Sequence, residues 1–437
     1  MKRFPDGFLW GAATSSFQIE GSLDADGRGP SIWDRFAGES GDLGTFACDH
    51  YRRWREDVDL LAGLGANAYR FSLAWPRLFP RGRGDREPRG FEHYDRLIDA
   101  LLEHGIEPLV TLYHWDLPQA LQDEGGWRNR NIVDTFAEYA RACFDAYGDR
   151  VTRWCTINEP WVHGILGHAD GLHAPGEKDR RGALTAIHHM LLAHGRAARE
   201  LGDGEVGVAF SVFPTYPASD DDADREAARI CDGYHNRWFL DPVLKASYPD
   251  DMRALWEERV GPLDFVHDGD VDEIATRSDY VGVNYYSRGV IRAKPGKAPL
   301  PYEVLSARQM DYPLTGGGYE IAPWALTELL VRLRDDYGAP PIYITENGAI
   351  YPETPHDPGR VAFIRDHVRA IHDAIGQGVP VRGYFHWSLM DNFEWKLGYE
   401  QRFGLVHVDY DTLERTVKDS GRYYARIAAA NALPAGS

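Results

Sequence analysis

The sequence predicts a single (β/α)8 barrel with long βα loops, and three observations carry that prediction. Eight short apolar runs recur along the 437 residues, stretches of helical period separate most of them, and several of those stretches stop at glycine. The runs are residues 8–13, 67–71, 107–113, 153–157, 206–213, 280–284, 342–345 and 383–387. Between them, residues 54–64, 91–104, 133–147, 184–201, 325–337 and 361–375 place apolar side chains at three-to-four spacing, as amphipathic helices do. Gly65, Gly105, Gly148 and Gly202 follow four of these stretches, where a left-handed helix C-cap is expected. Long connections fall at 21–53, 159–179, 216–245 and 292–318. Length alone suggests two domains, but no low-complexity linker divides the chain. One barrel domain over residues 1–437 is therefore expected, its extra length spent on loops.

Composition removes several function classes. Hydrophobic residues make 43% and charged residues 26% of the chain, as in ordinary globular proteins. A net charge of −19 argues against nucleic acid and anionic membrane surfaces as partners. The densest acidic run, residues 220–224, reads as a solvated loop. Four scattered cysteines without a CxxC pair give no disulfide framework and no zinc or thiol-redox spacing. Lys2 and Arg3 are followed by Asp6 before an apolar run develops, so a signal peptide does not fit, and no stretch approaches the ~20 apolar residues of a membrane span. A cytoplasmic location is the expectation.

Other motifs dissolve on inspection. Gly202-Asp203-Gly204-Glu205-Val206-Gly207 matches the dinucleotide fingerprint, but a helical stretch precedes it and an apolar run follows, the reverse of what that motif needs. Gly316-Gly317-Gly318 lacks the Lys of a phosphate loop, and no HExxH or GxSxG occurs. His188-His189 lies inside a helical pattern. No metal and no cofactor is expected.

Barrel chemistry sits at the C-terminal ends of the strands. The first run leads into Gln18 and Glu20, the second contains Arg70, and the third ends in His114-Trp115-Asp116. The fourth ends in Asn158-Glu159-Pro160 and the sixth in Asn284-Tyr285-Tyr286. The seventh ends in Glu346-Asn347-Gly348, and the eighth in Trp387, with Glu394-Trp395 close behind. Two glutamates thus close strands on roughly opposite sides of the mouth. A pair of carboxyl groups, one protonated and one ionised, is what cleavage of a glycosidic bond requires. Amides and an imidazole suit sugar hydroxyls, and indoles suit the apolar faces of the rings. Aromatic residues make 12% of the chain, which fits either a large core or such a cleft.

Seven segments then carry a resemblance: residues 8–21 (FLWGAATSSFQIEG), Tyr69-Arg70-Phe71-Ser72, Leu112-Tyr113-His114-Trp115-Asp116-Leu117-Pro118, Thr156-Ile157-Asn158-Glu159-Pro160, Tyr343-Ile344-Thr345-Glu346-Asn347-Gly348, residues 387–395 (WSLMDNFEW) and Arg402-Phe403-Gly404-Leu405. In this order, nearly end to end, the chain resembles glycoside hydrolase family 1, the β-glucosidases. The resemblance implies Glu159 as general acid/base and Glu346 as nucleophile, with Arg70 and the Tyr286 hydroxyl beside Glu346. It implies Gln18, His114, Asn158, Glu394 and Trp395 as hydrogen-bonding partners of the terminal sugar and Trp387 as its stacking floor, with Asn284 and Phe403 completing the substrate site. Trp10, Trp54 and Trp238 are read as core, and Trp115 as support for the site. Glu394 argues against a phosphorylated sugar, and Glu159 against the Gln of myrosinases.

The implied activity is exo-hydrolysis of terminal β-D-glucosyl residues with retention, extending to β-galactosides and β-fucosides, on a small-molecule β-glycoside or oligosaccharide. A β-galactosidase or transglycosylase of the same family is the alternative among enzymes, and a catalytically silent sugar-binding barrel the alternative outside them. Two departures stand out. The family's GWE segment reads Gly318-Tyr319-Glu320 here, with Trp324 further on, and the stretch after Lys418-Asp419-Ser420 is less aromatic than the family pattern.

Overall fold

The computed structural model describes residues 2–36, 41, 44–338, 340–352 and 355–434; parts of the expected first long connection, at 37–40 and 42–43, lie outside the described residues, as do residue 1 and residues 435–437 of the expected domain span. Eight parallel strands close into a barrel in chain order: β1 (Leu9–Ala13), β2 (Ala68–Ser72), β3 (Glu107–Tyr113), β4 (Arg153–Asn158), β5 (Glu205–Ser211), β6 (Tyr280–Asn284), β7 (Ile342–Asn347) and β8 (Val381–Trp387). Closure pairs β8 with β1, placing Gly383 opposite Leu9 and Trp387 opposite Ala13. All eight apolar runs are strands.

They read as runs, without alternation, because both faces are covered. Leu9, Ala68, Leu109, Cys155, Ala209, Tyr280, Tyr343 and Phe385 fill the barrel interior. Their neighbours, such as Trp10, Tyr69, Val110, Trp154 and Val281, pack outward under the helices.

The covering helices are α1 (His50–Gly63), α2 (Pro88–Glu103), α3 (Ile132–Tyr147), α4 (Arg180–Glu200), α5 (Asp222–Asp232), α6 (Pro323–Tyr337), α7 (Pro358–Gly376) and α8 (Asp419–Ala430). Six match the predicted stretches, while α5 and α8 lie where no helix was expected. The buried face of α5 consists of Asp224, Ala227, Ala228, Cys231 and Asp232, too small and polar to register as an apolar stripe. This corrects the reading of the acidic run as loop. Asp222 and Asp224 occupy the first turn of α5, where negative charge is favoured, and Asp224 accepts hydrogen bonds from the Ala293 N–H at 2.8 Å and the Ser219 hydroxyl at 2.7 Å.

Gly65 and Gly105 adopt the expected left-handed conformation, with φ +68° and +69°. Gly148 does not: at φ −68° it continues α3, its N–H bonded to the Phe144 carbonyl, and Gly202 is not left-handed either. Around 202–207 the order is α4 then β5, as the sequence indicated. The four cysteines are buried and free. Among the described residues no helix is long and apolar enough to cross a membrane, and no cluster of three or more His, Cys, Asp or Glu is placed to hold a metal ion.

The segment after β8 carries Glu394 and Trp395, and a buried charge cluster fixes it. The fully buried Asp391 carboxylate accepts from Lys418 Nζ at 2.6 Å, Arg402 at 2.9 Å and the Gly404 N–H at 2.9 Å. Ser420 donates its N–H and hydroxyl to Asp357, which also pairs with Arg360. Lys418 and Ser420 therefore tie the start of α8 to the loops after β7 and β8. Burial opposes the Asp391 charge, but Lys418, His407 and Arg360 hold its carboxyl down at about 2. Its contribution is thus present above the ordinary value of about 3.9 and is lost as pH falls towards 2. Removing one partner of a buried pair strands the other, so Lys418→Met is expected to cost about 3–5 kcal/mol in denaturant unfolding at pH 7. A loss below 1 kcal/mol at that pH would count against the cluster as the anchor of this segment.

Candidate active site

The site assembles from strand ends. Glu159 follows the last residue of β4 and Glu346 is the penultimate residue of β7, three strands apart around the closed sheet. Both lie where pairing slips: β4 loses register against β5 between Cys155 and Asn158, and β7 against β6 between Ile344 and Glu346. Such irregularities re-aim side chains, here towards the mouth of the barrel. Glu159 also takes a left-handed backbone, φ +46°, held by its N–H on the Ala209 carbonyl at 2.8 Å. Trp115 at φ +76° and Trp395 at φ +50° are likewise left-handed. Gly348, two residues past Glu346, is required by space, since a Cβ there would lie 1.9 Å from the Trp387 carbonyl oxygen.

Arg70 enters from β2, completely buried. It donates to Glu346 Oε1 at 2.6 Å, to Asn158 Oδ1 at 2.6 Å and to the Thr345 carbonyl at 3.2 Å. The Tyr286 hydroxyl donates to Glu346 Oε2 at 2.6 Å, so each oxygen of Glu346 has its own donor. Burial, with the charge of Glu346, keeps the Tyr286 phenol well above its ordinary value and therefore protonated. Asn284 links the two sides: its Nδ2 donates to Glu159 Oε1 at 3.0 Å and Asn158 Oδ1 at 3.1 Å, and its Oδ1 accepts from Thr345 at 2.6 Å. Trp115 supports the strand end, donating from Nε1 to the Asn158 carbonyl at 2.8 Å.

Glu159 is pushed up to about 8 by burial and by the neighbouring Glu346 charge, against the opposing Asn284 hydrogen bond and Arg70. Glu394 is pushed up to about 8 by burial and Glu346, against a long 3.5 Å contact from Gln18. Both of these carboxyls face Glu346, the member to which Arg70 and Tyr286 donate. His114, buried and beside Arg70, is held well below its ordinary value and is neutral. Its Nε2 faces the Asn158 amide at 3.1 Å, and its ring stacks with Trp387 and Trp395 at centroid distances of 5.9 and 6.0 Å.

A cavity of about 390 Å³ opens over these groups, lined by His114, Glu159, Asn284, Tyr286, Glu346, Trp387, Glu394, Trp395 and Phe403 among others. Nine of the twelve positions named from sequence thus line it, and Arg70 pairs directly with Glu346, which does. Gln18 and Asn158, both completely buried, adjoin the lining, Gln18 at 3.5 Å from Glu394 and Asn158 at 3.1 Å from His114 and Asn284. Gln18 donates to the Phe393 carbonyl at 2.8 Å and Asn392 at 3.1 Å and accepts from Ser15 at 2.6 Å. Trp10, Trp54 and Trp238 are buried core, as read from sequence.

Several lining residues had not been singled out, among them Trp161, Phe213 and His235. Trp161 directly follows the Asn158-Glu159-Pro160 segment and Phe213 ends the fifth apolar run, so position alone could have flagged both. His235 lies deep in a long connection, where nothing in the sequence marks it.

A doubly donated carboxylate facing a protonated one at the mouth of a (β/α)8 barrel defines a glycoside hydrolase of the two-carboxyl type. The chain belongs to glycosyl hydrolase family 1, whose model matches residues 1–433. It is 44% identical to β-glucosidase A of Thermotoga maritima over 99% of both chains, and 41% identical to a bifunctional β-D-glucosidase/β-D-fucosidase of Bifidobacterium breve over 98% of both. Among solved structures, a Thermotoga maritima β-glucosidase in complex with glucoimidazole superposes with a TM-score of 0.95 at 44% identity, covering 99% of this chain and all of that one.

Glu159 loses its proton as pH rises through about 8, so a reaction that draws on that proton loses kcat/KM over the same range. Glu159→Gln is expected to remove this alkaline limb and to lower kcat/KM about 10²–10⁴-fold for substrates with poor leaving groups. A pH–rate profile with the limb intact in this variant would assign the titration elsewhere.

Proposed function

We propose that the chain is a retaining, exo-acting β-glucosidase working as one catalytic unit over residues 1–437. The observation that carries the reading is the unequal treatment of two strand-end carboxyls: Glu346 has a donor on each oxygen, and Glu159 is held protonated. In the first step the Glu346 carboxylate attacks the anomeric carbon while Glu159 gives its proton to the departing glycosidic oxygen. The new ester neutralises Glu346, and the repulsion that raised Glu159 disappears with it. Glu159, now ionised, takes a proton from the attacking water as the ester bond breaks, which restores both groups. Two inversions at one carbon give retention.

The proposal assigns the hydrogen bonds of the terminal sugar to Gln18, His114, Asn158, Asn284, Glu394 and Trp395, and its faces to Trp387 and Phe403. Placement of Gln18 against Glu394, and of Asn158 against His114, supports a set oriented as a group. Activity on β-fucosides and β-galactosides is part of the reading, supported by the bifunctional relative. A cytoplasmic location is proposed as well, and the four buried, unpaired cysteines fit a reducing compartment.

Glu346→Gly is expected to abolish hydrolysis of p-nitrophenyl β-glucoside and to regain turnover in azide, releasing an α-glycosyl azide. Wild-type rates in that variant would remove Glu346 from the nucleophile role.

A further inference from the structure

The two steps ask opposite things of Glu159, and one buried hydroxyl behind the cavity bears on the second. Thr345 is completely buried on β7, next to Glu346. Against β6 the strand counts two residues for one: Ile344 pairs with Val283 and Glu346 with Asn284, so Thr345 is the extra residue of the bulge. Consecutive side chains therefore both serve the mouth, Glu346 lining the cavity and Thr345 reaching the Asn284 amide. Gly282 on β6 makes room for this, since a Cβ there would lie 3.0 Å from both Thr345 Oγ1 and Cγ2.

The Thr345 hydroxyl donates to Asn284 Oδ1 at 2.6 Å. That is shorter than either bond the Asn284 nitrogen makes, 3.0 Å to Glu159 Oε1 and 3.1 Å to Asn158 Oδ1. An amide has the same outline either way round. Turned over, it would set its oxygen against Glu159 Oε1, an arrangement that suits only the protonated acid. With the hydroxyl on Oδ1, the amide keeps its N–H on Glu159. A donor aimed at a carboxyl favours the ionised form, because the bond is then charge-assisted. Donation into the amide carbonyl also strengthens the N–H bond on its other side. Asn284 and Arg70 thus favour the Glu159 charge, against burial, Glu346 and Glu394.

The first step begins with Glu159 protonated and has little use for that bond. In the second, water gives its proton to Glu159 while its oxygen bonds to the anomeric carbon and the ester to Glu346 breaks. Glu159 must be ionised beforehand, although it is still buried. We propose that Thr345 is a positioning residue for the second step: through the Asn284 amide, its hydroxyl holds Glu159 ready as the base that activates water. The inference rests on the β-glucosidase reading of Glu159 and Glu346.

2,4-Dinitrophenyl β-glucoside tests it, because that leaving group departs without a proton and leaves hydrolysis of the glycosyl-enzyme to limit kcat. Thr345→Val keeps the outline of the side chain and removes the hydroxyl. It is expected to lower kcat about tenfold, the size of one lost hydrogen bond to a charged group, with KM falling alongside and kcat/KM held within about twofold. Thr345→Ser restores the donor and is expected to keep wild-type constants. Azide attacks the anomeric carbon with no proton to lose, so it is expected to restore kcat in Thr345→Val and to release β-glucosyl azide. Thr345→Ala carries the same expectations should Thr345→Val fail to fold. A kcat/KM that falls as far as kcat, a kcat unmoved in the folded variants, a loss that azide leaves in place, or a Thr345→Ser variant as slow as Thr345→Val overturns the role of Thr345 alone. Failure of the wild type to cleave the substrate at all overturns the β-glucosidase reading beneath it.

Discussion

Arg70 is the interaction on which the site depends. A guanidinium wholly removed from water is tolerable only with charge and acceptors around it, and β2 places it against Glu346, Asn158 Oδ1 and the Thr345 carbonyl. That choice propagates. Because Asn158 must turn its oxygen to Arg70, its nitrogen faces His114 Nε2, which fixes the role of that imidazole edge. Because the same oxygen also accepts from Asn284, the Asn284 nitrogen is directed at Glu159 Oε1, and its oxygen is left for Thr345. One buried cation thus sets amide orientations on strands β4 and β6 and holds the Glu346 carboxyl of β7 in place.

The backbone contributes strain in the same place. Glu159, Trp115 and Trp395 all take positive φ, a conformation costing a non-glycine residue of order 1–3 kcal/mol. Each has a neighbour that holds it: the Ala209 carbonyl for Glu159, the Asn158 carbonyl for the Trp115 indole, and the rings of Phe17, Trp33 and Trp115 for Trp395. The anchor of the last segment lies far from the chemistry, at Asp391 and Lys418, yet it decides where Glu394 sits.

Much of this was legible in the residues. Parallel strands covered on both faces leave uninterrupted apolar runs, so all eight strands could be read, and strand-end position then singled out Glu159, Glu346 and Trp387, with Arg70 inside the second run. Helix α5 could not be read because alanines, aspartates and a cysteine supply its buried face, and α8 because Ser420 and Gly421 interrupt a short apolar face of Tyr423, Tyr424 and Ile427. Gly148 misled because a glycine at a helix end permits the left-handed cap without compelling it. The stacking of Trp161, His235 and Phe213 could not be read for a different reason. Trp161 follows the fourth run, Phe213 ends the fifth and His235 lies in a long connection, so strand-end position marks the first two but no local spacing records their stack. Composition announced an aromatic excess, and only the fold divides it between core and cavity lining.

The central claim is that Glu346, held between Arg70 and Tyr286, forms a covalent bond to the sugar. Incubation with 2-deoxy-2-fluoro-β-glucosyl fluoride, followed by proteolysis and mass spectrometry, tests it most directly. The account predicts one fluoroglucosyl adduct on the peptide containing Glu346, with loss of activity in step with labelling. An adduct on another carboxyl group, or none in a protein that turns over ordinary β-glucosides, would contradict it.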